Sequence, residues 1–167
     1  MNPSLVQCRY LLSLAGSILE GLDDSHRALE PQPGLKTAGW LVGHLAVSGD
    51  FARRLCGRPE LCPPEWRRMF NPGSEPSGDP NTYPSMAALC ENLRLVYADL
   101  LVAAAEADPS VRSMANPFAP ARAGFPTAGD FVDYLASSHL GYHLGQLVAW
   151  RSAAGLKAPR RPGALAA

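Results

Sequence analysis

The sequence predicts an all-α fold, a four-helix bundle. Four long segments carry apolar residues at helical spacing, no stretch alternates convincingly as a half-buried strand would, and links rich in proline and glycine separate the segments. No internal repeat is present.

The first segment, about residues 3 to 22, sets Leu5, Cys8, Leu12, Ala15, Ile18 and Leu22 along one stripe, with Gly21 and Asp23-Asp24 as its stop. The link DSHRALEPQPGLK holds two prolines and a glycine, so it cannot continue that helix. The second segment starts at Thr37, an acceptable N-cap, and runs to Gly57. Trp40, Leu41, His44, Leu45, Ser48 and Leu55 share its broad inner face. Gly39, Gly43 and Gly49 weaken this helix by about 1 kcal/mol each relative to alanine, which calls for close packing or a site in compensation.

Residues 58 to 84 form a long, proline-rich excursion between the second and third helices, with one helical turn expected at PPEWRRMF. Loops of such length in a compact domain are often functional. The third segment begins near Ser85 and continues through Met86, Leu89, Leu93, Val96, Tyr97 and Leu100 until Pro109. A second irregular link leads to the fourth segment, capped by Thr127 with Asp130 in its first turn and closed by Gly155. One domain is expected over residues 1–158, followed by a frayed or extended tail, 159–167.

The composition excludes several classes. With 15 basic and 15 acidic side chains in 167 residues, 47% of them apolar, the chain is an ordinary globular sequence. Its size suffices to bury about two-thirds of the unfolded surface in a single core. Nucleic acid is not an expected partner, because the basic residues form only the pairs Arg53-Arg54, Arg67-Arg68 and Arg160-Arg161, read as solvated surface. The opening MNPSLVQCRYLLSLAGSILEGL lacks a secretory leader's basic start and cleavage site, and no apolar run reaches the roughly 18 residues of a membrane span. A cytoplasmic location away from membranes is expected. Cys8, Cys56, Cys62 and Cys90 form no CxxC pair and read as free thiols.

The stretch SSHLGYHLGQLVAW raises the question of function, because His139 and His143 lie four apart and stack on one helix face. His44 faces inward on the second helix, whereas His26 sits in the polar DDSHR turn. Three inward imidazoles either hydrogen-bond to neighbouring polar groups or hold zinc, nickel, iron or copper. Three protein ligands leave coordination positions for water or substrate, as catalytic sites require. Leu140 stands where HExxH has its glutamate, which argues against zincin-type peptidase chemistry. Trp40 and Tyr142 are expected to wall the site, or to be ordinary core aromatics. Gln146 is a candidate for a hydrogen bond behind a ligand or for substrate contact, against a bland place at the bundle edge. Ser48 and Asp50 are candidates for orienting ligands.

The phrases TAGWLVGHLAVSGDF and HLGYHLGQLVAWRSAAGL resemble the DinB-like superfamily of bacterial four-helix-bundle proteins, damage-inducible in the founding example. PPEWRRMFNPGSEPSGDPNTYPS and FPTAGDFVDYLASSHLGYHLGQ extend the likeness over about residues 5 to 157. The resemblance implies a three-histidine metal site at His44, His139 and His143, an up-up-down-down topology with a long crossover between helices two and three, and a tendency to form homodimers. Relatives include transferases and isomerases that use a low-molecular-weight thiol such as bacillithiol or mycothiol, while many have no assigned reaction. The expected function is therefore a metal-dependent enzyme holding zinc, nickel or iron, acting on a small-molecule substrate with a thiol cosubstrate. A metal-dependent hydrolase and a non-catalytic stress-response bundle that binds metal or a small ligand are the alternatives. No acidic residue stands out as a proton carrier, so no catalytic residue is assigned.

Overall fold

Asn2 opens helix α1 (Pro3–Leu19) by accepting a hydrogen bond from the Ser4 amide in the computed structural model, which describes residues 2–160. The helix ends before residue 22 because Glu20 turns to extended backbone and Gly21 takes a φ of +76°, a conformation that favours glycine. Helix α2 (Ala38–Leu55) starts where expected, with Thr37 Oγ1 accepting from the Trp40 amide. The excursion after it contains α3 (Trp66–Phe70), the turn anticipated in PPEWRRMF. Ser85 caps α4 (Met86–Glu106).

Pro109 does not terminate α4. The chain leaves the helix at Ala107, and Pro109 instead opens a short α5 (Pro109–Ser113), at a first-turn position where its missing N–H is not needed. Thr127 and Asp130 cap α6 (Ala128–Tyr134) reciprocally. The fourth segment is not one continuous helix, because a π turn, Leu135–His139, interrupts it before α7 (Leu140–Ala153). The described residues contain no strand, only an isolated bridge between Ala115 and Thr127. No helix among them is long and apolar enough to cross a membrane. Residues 156–160 lack regular structure, and the expected tail lies outside the described residues from 161 onward.

Side-chain contacts fix the helix directions. Gly49 lies against Val96 and Tyr97, Arg53 pairs with Asp99 and Arg58 with Glu106, so α2 and α4 run parallel. Asn2 meets Asp133, Gly141 meets Leu11 and Arg151 donates to the Ile18 carbonyl, so α1 runs parallel to α6–α7. Phe51 on α2 meets Phe131 while His44 meets His143, which sets α2 antiparallel to α6–α7. The order is thus up-down-down-up, not up-up-down-down. Residues 56–85 return from the end of α2 to the start of α4, and a chain of that length easily retraces the roughly 27 Å of an 18-residue helix.

The core lies among α1, α2, α4 and α6–α7, where Leu41, Leu45, Tyr97, Leu140, Leu147 and Trp150 are almost fully buried. The α2 glycines explain its tightest contacts. A Cβ at Gly39 would sit 2.6 Å from the Arg27 carbonyl oxygen, one at Gly43 2.5 Å from the Phe70 ring, and one at Gly49 2.7 Å from Val96. The helix therefore gives up propensity at these positions and gains close approach of its neighbours.

Candidate functional site

His44 comes from the middle of α2, His139 from the last position of the π turn and His143 from the first turn of α7. All three are buried, and they offer nitrogens that lie within 4.8 Å of one another. His44 Nε2 faces His139 Nε2 at 3.2 Å, and the His139 and His143 rings are 4.5 Å apart between centroids. The π turn widens the backbone just before the pair, an irregularity often found at functional sites.

Two of the imidazoles have their outer nitrogen committed. His44 Nδ1 donates to the Phe70 carbonyl at 2.6 Å, and His143 Nδ1 donates to Gln146 Oε1 at 2.7 Å. Those bonds fix the tautomers and leave both Nε2 atoms as lone-pair donors. His139 Nδ1 is buried with no partner. In either tautomer, then, one buried nitrogen of His139 is left unsatisfied or two lone pairs face each other, and three quietly hydrogen-bonded core histidines do not describe the cluster. A cation at the convergence of the Nε2 atoms resolves that mismatch, so the donor set fits a divalent metal ion.

The electrostatics agree with the donor set. Burial above all pushes His44 down to about 4, and burial followed by the His143 and His44 rings pushes His139 down to about 3. Burial also lowers His143, against the opposing effect of its hydrogen bond to Gln146. The cluster is neutral at pH 7, the protonation state a metal ligand needs.

Trp40 walls one side, stacked on His44 at 4.7 Å with planes 8° apart, and its Nε1 donates to Ser74 Oγ. Tyr142, expected as a second wall, instead points largely to solvent at 65% exposure, although its edge lines the cavity and its hydroxyl accepts from Gln146 Nε2. Gln146 is not a bland edge residue, since it accepts the His143 proton. Asp50 does not orient a histidine. Its carboxylate takes Arg53 Nη1 at 2.5 Å together with the Leu61 and Cys62 amides, and so fastens the chain after α2. Ser48 is buried on the cavity wall and bonds to none of the three rings. Arg53, read as solvated, is 4% exposed because Asp50 and Asp99 both pair with it. Sequence reasoning missed Phe70, whose carbonyl holds His44. The tight Gly43 was its only trace.

The histidines open onto a cavity of about 590 Å³ with a largely aromatic wall that includes Phe51, Phe118, Phe125, Phe131 and Tyr134. The four cysteines are free, and burial pushes the Cys62 thiol on this wall up to about 12. Comparison with protein families matches residues 9–147 to the DinB superfamily. The chain belongs to the DinB superfamily. No curated protein and no solved structure matches it. In this DinB chain the match runs from α1 into α7 and takes in all three histidines.

Proposed function

We propose that this DinB protein is a metal-dependent enzyme that joins a low-molecular-weight thiol to an electrophilic small molecule, with His44, His139 and His143 as ligands of a zinc, nickel or iron ion. The observation that carries this reading is the convergence of three neutral imidazoles at one edge of an apolar cavity, two of them already locked in the ligating tautomer. A bound divalent ion supplies Lewis acidity that lowers the pKa of a coordinated thiol or water.

The chain's own residues do the rest. Phe70 and Gln146 hold two rings in place, and Trp40 covers His44 from water. Cys62 is held as a thiol by its burial, so the attacking sulfur comes from a cosubstrate. Asp50 and Glu60, the carboxylates on the cavity wall, are paired with Arg53 and Arg67. No free carboxylate is therefore at hand to deprotonate water, which favours thiol transfer over hydrolysis. In the transfer, sulfur bonds to the electrophilic carbon as its leaving group departs, and the thiol proton passes to solvent.

Elemental analysis of purified protein beside a His139→Ala/His143→Ala double variant tests the ligand set. Near-stoichiometric metal in the parent and none in the variant is expected. Loaded protein is then expected to accelerate conjugation of a chlorodinitrobenzene with a cellular thiol. Metal-loaded protein that is inactive with every thiol tried overturns the transferase reading, and the stress-response binding bundle takes its place. No metal after reconstitution overturns the site itself.

A further inference from the structure

The cavity holds one cation that none of the described residues neutralises. Four charged side chains line it, and three of them are accounted for. Asp50 is engaged by Arg53 and two amides, and Glu60 pairs with Arg67. The fourth, Arg54, forms no ion pair and no side-chain hydrogen bond among the described residues, and its Nε is buried without a partner. Its guanidinium stands 5.3 Å over the Phe51 ring, a contact that holds the head in the cavity but satisfies none of its N–H donors. A half-buried guanidinium with a shielded, idle Nε is a ready partner for an anion entering the cavity.

Arg54 lies ten residues beyond His44 on the same helix, about 15 Å along the axis. Phe51, Phe118 and Phe131 pack against one another on the wall of the same cavity, with centroids 5.6 to 6.4 Å apart. The surface on offer is therefore apolar and carries a cation far from the imidazole cluster. That matches a ligand with an extended apolar body and an acid at one end.

We infer that the cavity binds small carboxylic acids with an extended apolar body, the carboxylate on the Arg54 guanidinium and the body along Phe51, Phe118 and Phe131. A planar, two-oxygen anion suits the forked guanidinium, whose donors can engage both oxygens. That the far end of the ligand meets the histidines rests on the enzymatic reading above. The carboxylate subsite itself does not.

The test is calorimetric titration of the full chain with decanoate and with 1-decanol, after stripping with a chelator so that no ion can take the carboxylate. Decanoate is expected to bind at least tenfold more tightly than decanol. Arg54→Gln is expected to remove that preference while leaving decanol binding and the melting curve unchanged, and Arg54→Lys to restore part of it. Three results overturn the inference: equal binding of acid and alcohol, decanoate binding that survives Arg54→Gln, or no binding of either probe. Because metal content is measured separately, the subsite and the metal site can fail independently of each other.

Discussion

Gly43→Ala probes how the fold holds the site. A Cβ there would lie 2.5 to 2.6 Å from three atoms of the Phe70 ring, against about 3.5–4.0 Å for relaxed carbon contacts, so the ring must move by about 1 Å. Phe70 is fully buried, with Trp66 edge-on at 5.6 Å and Tyr83 stacked at 5.9 Å, which blocks an easy retreat. Overpacking of this kind costs about 1–3 kcal/mol. The alanine itself favours the helix by about 1 kcal/mol, so the net destabilisation is between about zero and 2 kcal/mol. Gly16→Ala on α1 isolates the clash, because a Cβ there meets nothing within 4 Å and only the helical gain of about 1 kcal/mol remains. The two variants are expected to melt roughly 2 to 12 °C apart, with Gly43→Ala the lower. The displaced Phe70 carbonyl also loosens its bond to His44 Nδ1, and loss of such support typically weakens metal binding about 10- to 100-fold, read by competition with a chromophoric chelator. Equal melting of the two variants together with unchanged metal affinity would refute the argument that Gly43, Phe70 and His44 form one mechanical unit.

Other perturbations follow from the same geometry. Gln146→Leu removes the acceptor of the His143 proton and is expected to weaken metal binding about 10- to 100-fold, and an unchanged chelator titration would show that Gln146 does not matter to the site. Arg53→Met leaves the Asp50 carboxylate buried and uncompensated, an expected loss of about 3–5 kcal/mol in urea melts. In chelator-stripped protein the depressed His44 and His139 bind protons more weakly folded than unfolded. Stability is therefore steady above about pH 6.5 and falls as pH drops below it, by up to about 1.4 kcal/mol per unit for each histidine. His139→Ala should flatten that slope, and a parent curve flat between pH 7 and 5 would contradict the burial of neutral rings. Burial raises all four thiols, Cys8 and Cys62 to about 12 and Cys90 to about 11, so a disulfide reagent at pH 7 should label them slowly until the protein is unfolded.

Much of this was readable in the sequence because it depends on local chemistry. Thr37 and Thr127 announce their helices through local side-chain hydrogen bonds, and the apolar stripes of α2 and α4 set which faces are buried. The three histidines could be singled out because imidazoles are rare on apolar faces. What escaped depends on residues distant in the chain. The π turn has no compositional mark, since Leu135–His139 reads as ordinary helix and only tertiary packing adds its extra residue. Tyr142 lies one residue before His143, and in a helix that step of about 100° suffices to turn it outward. Arg53 looks like a surface residue until α4 brings Asp99 beside it. Helix direction is likewise silent, because an amphipathic stripe buries equally well pointing either way.

The placement of the histidines sets an order of events. His44 and His139 are separated by 95 positions in the chain, so a growing or unfolded polypeptide offers only the HxxxH pair and never all three rings together. In small zinc-dependent domains the ligands sit close in sequence and the ion organises the fold. Here the parallel pairs α2–α4 and α1–α7 must close first, and both are built from contacts distant in sequence, which slows folding relative to a bundle of adjacent hairpins. A metal ion held by all three rings would accordingly be captured only after the bundle has assembled, and the loaded fraction of a preparation would then count its correctly assembled molecules.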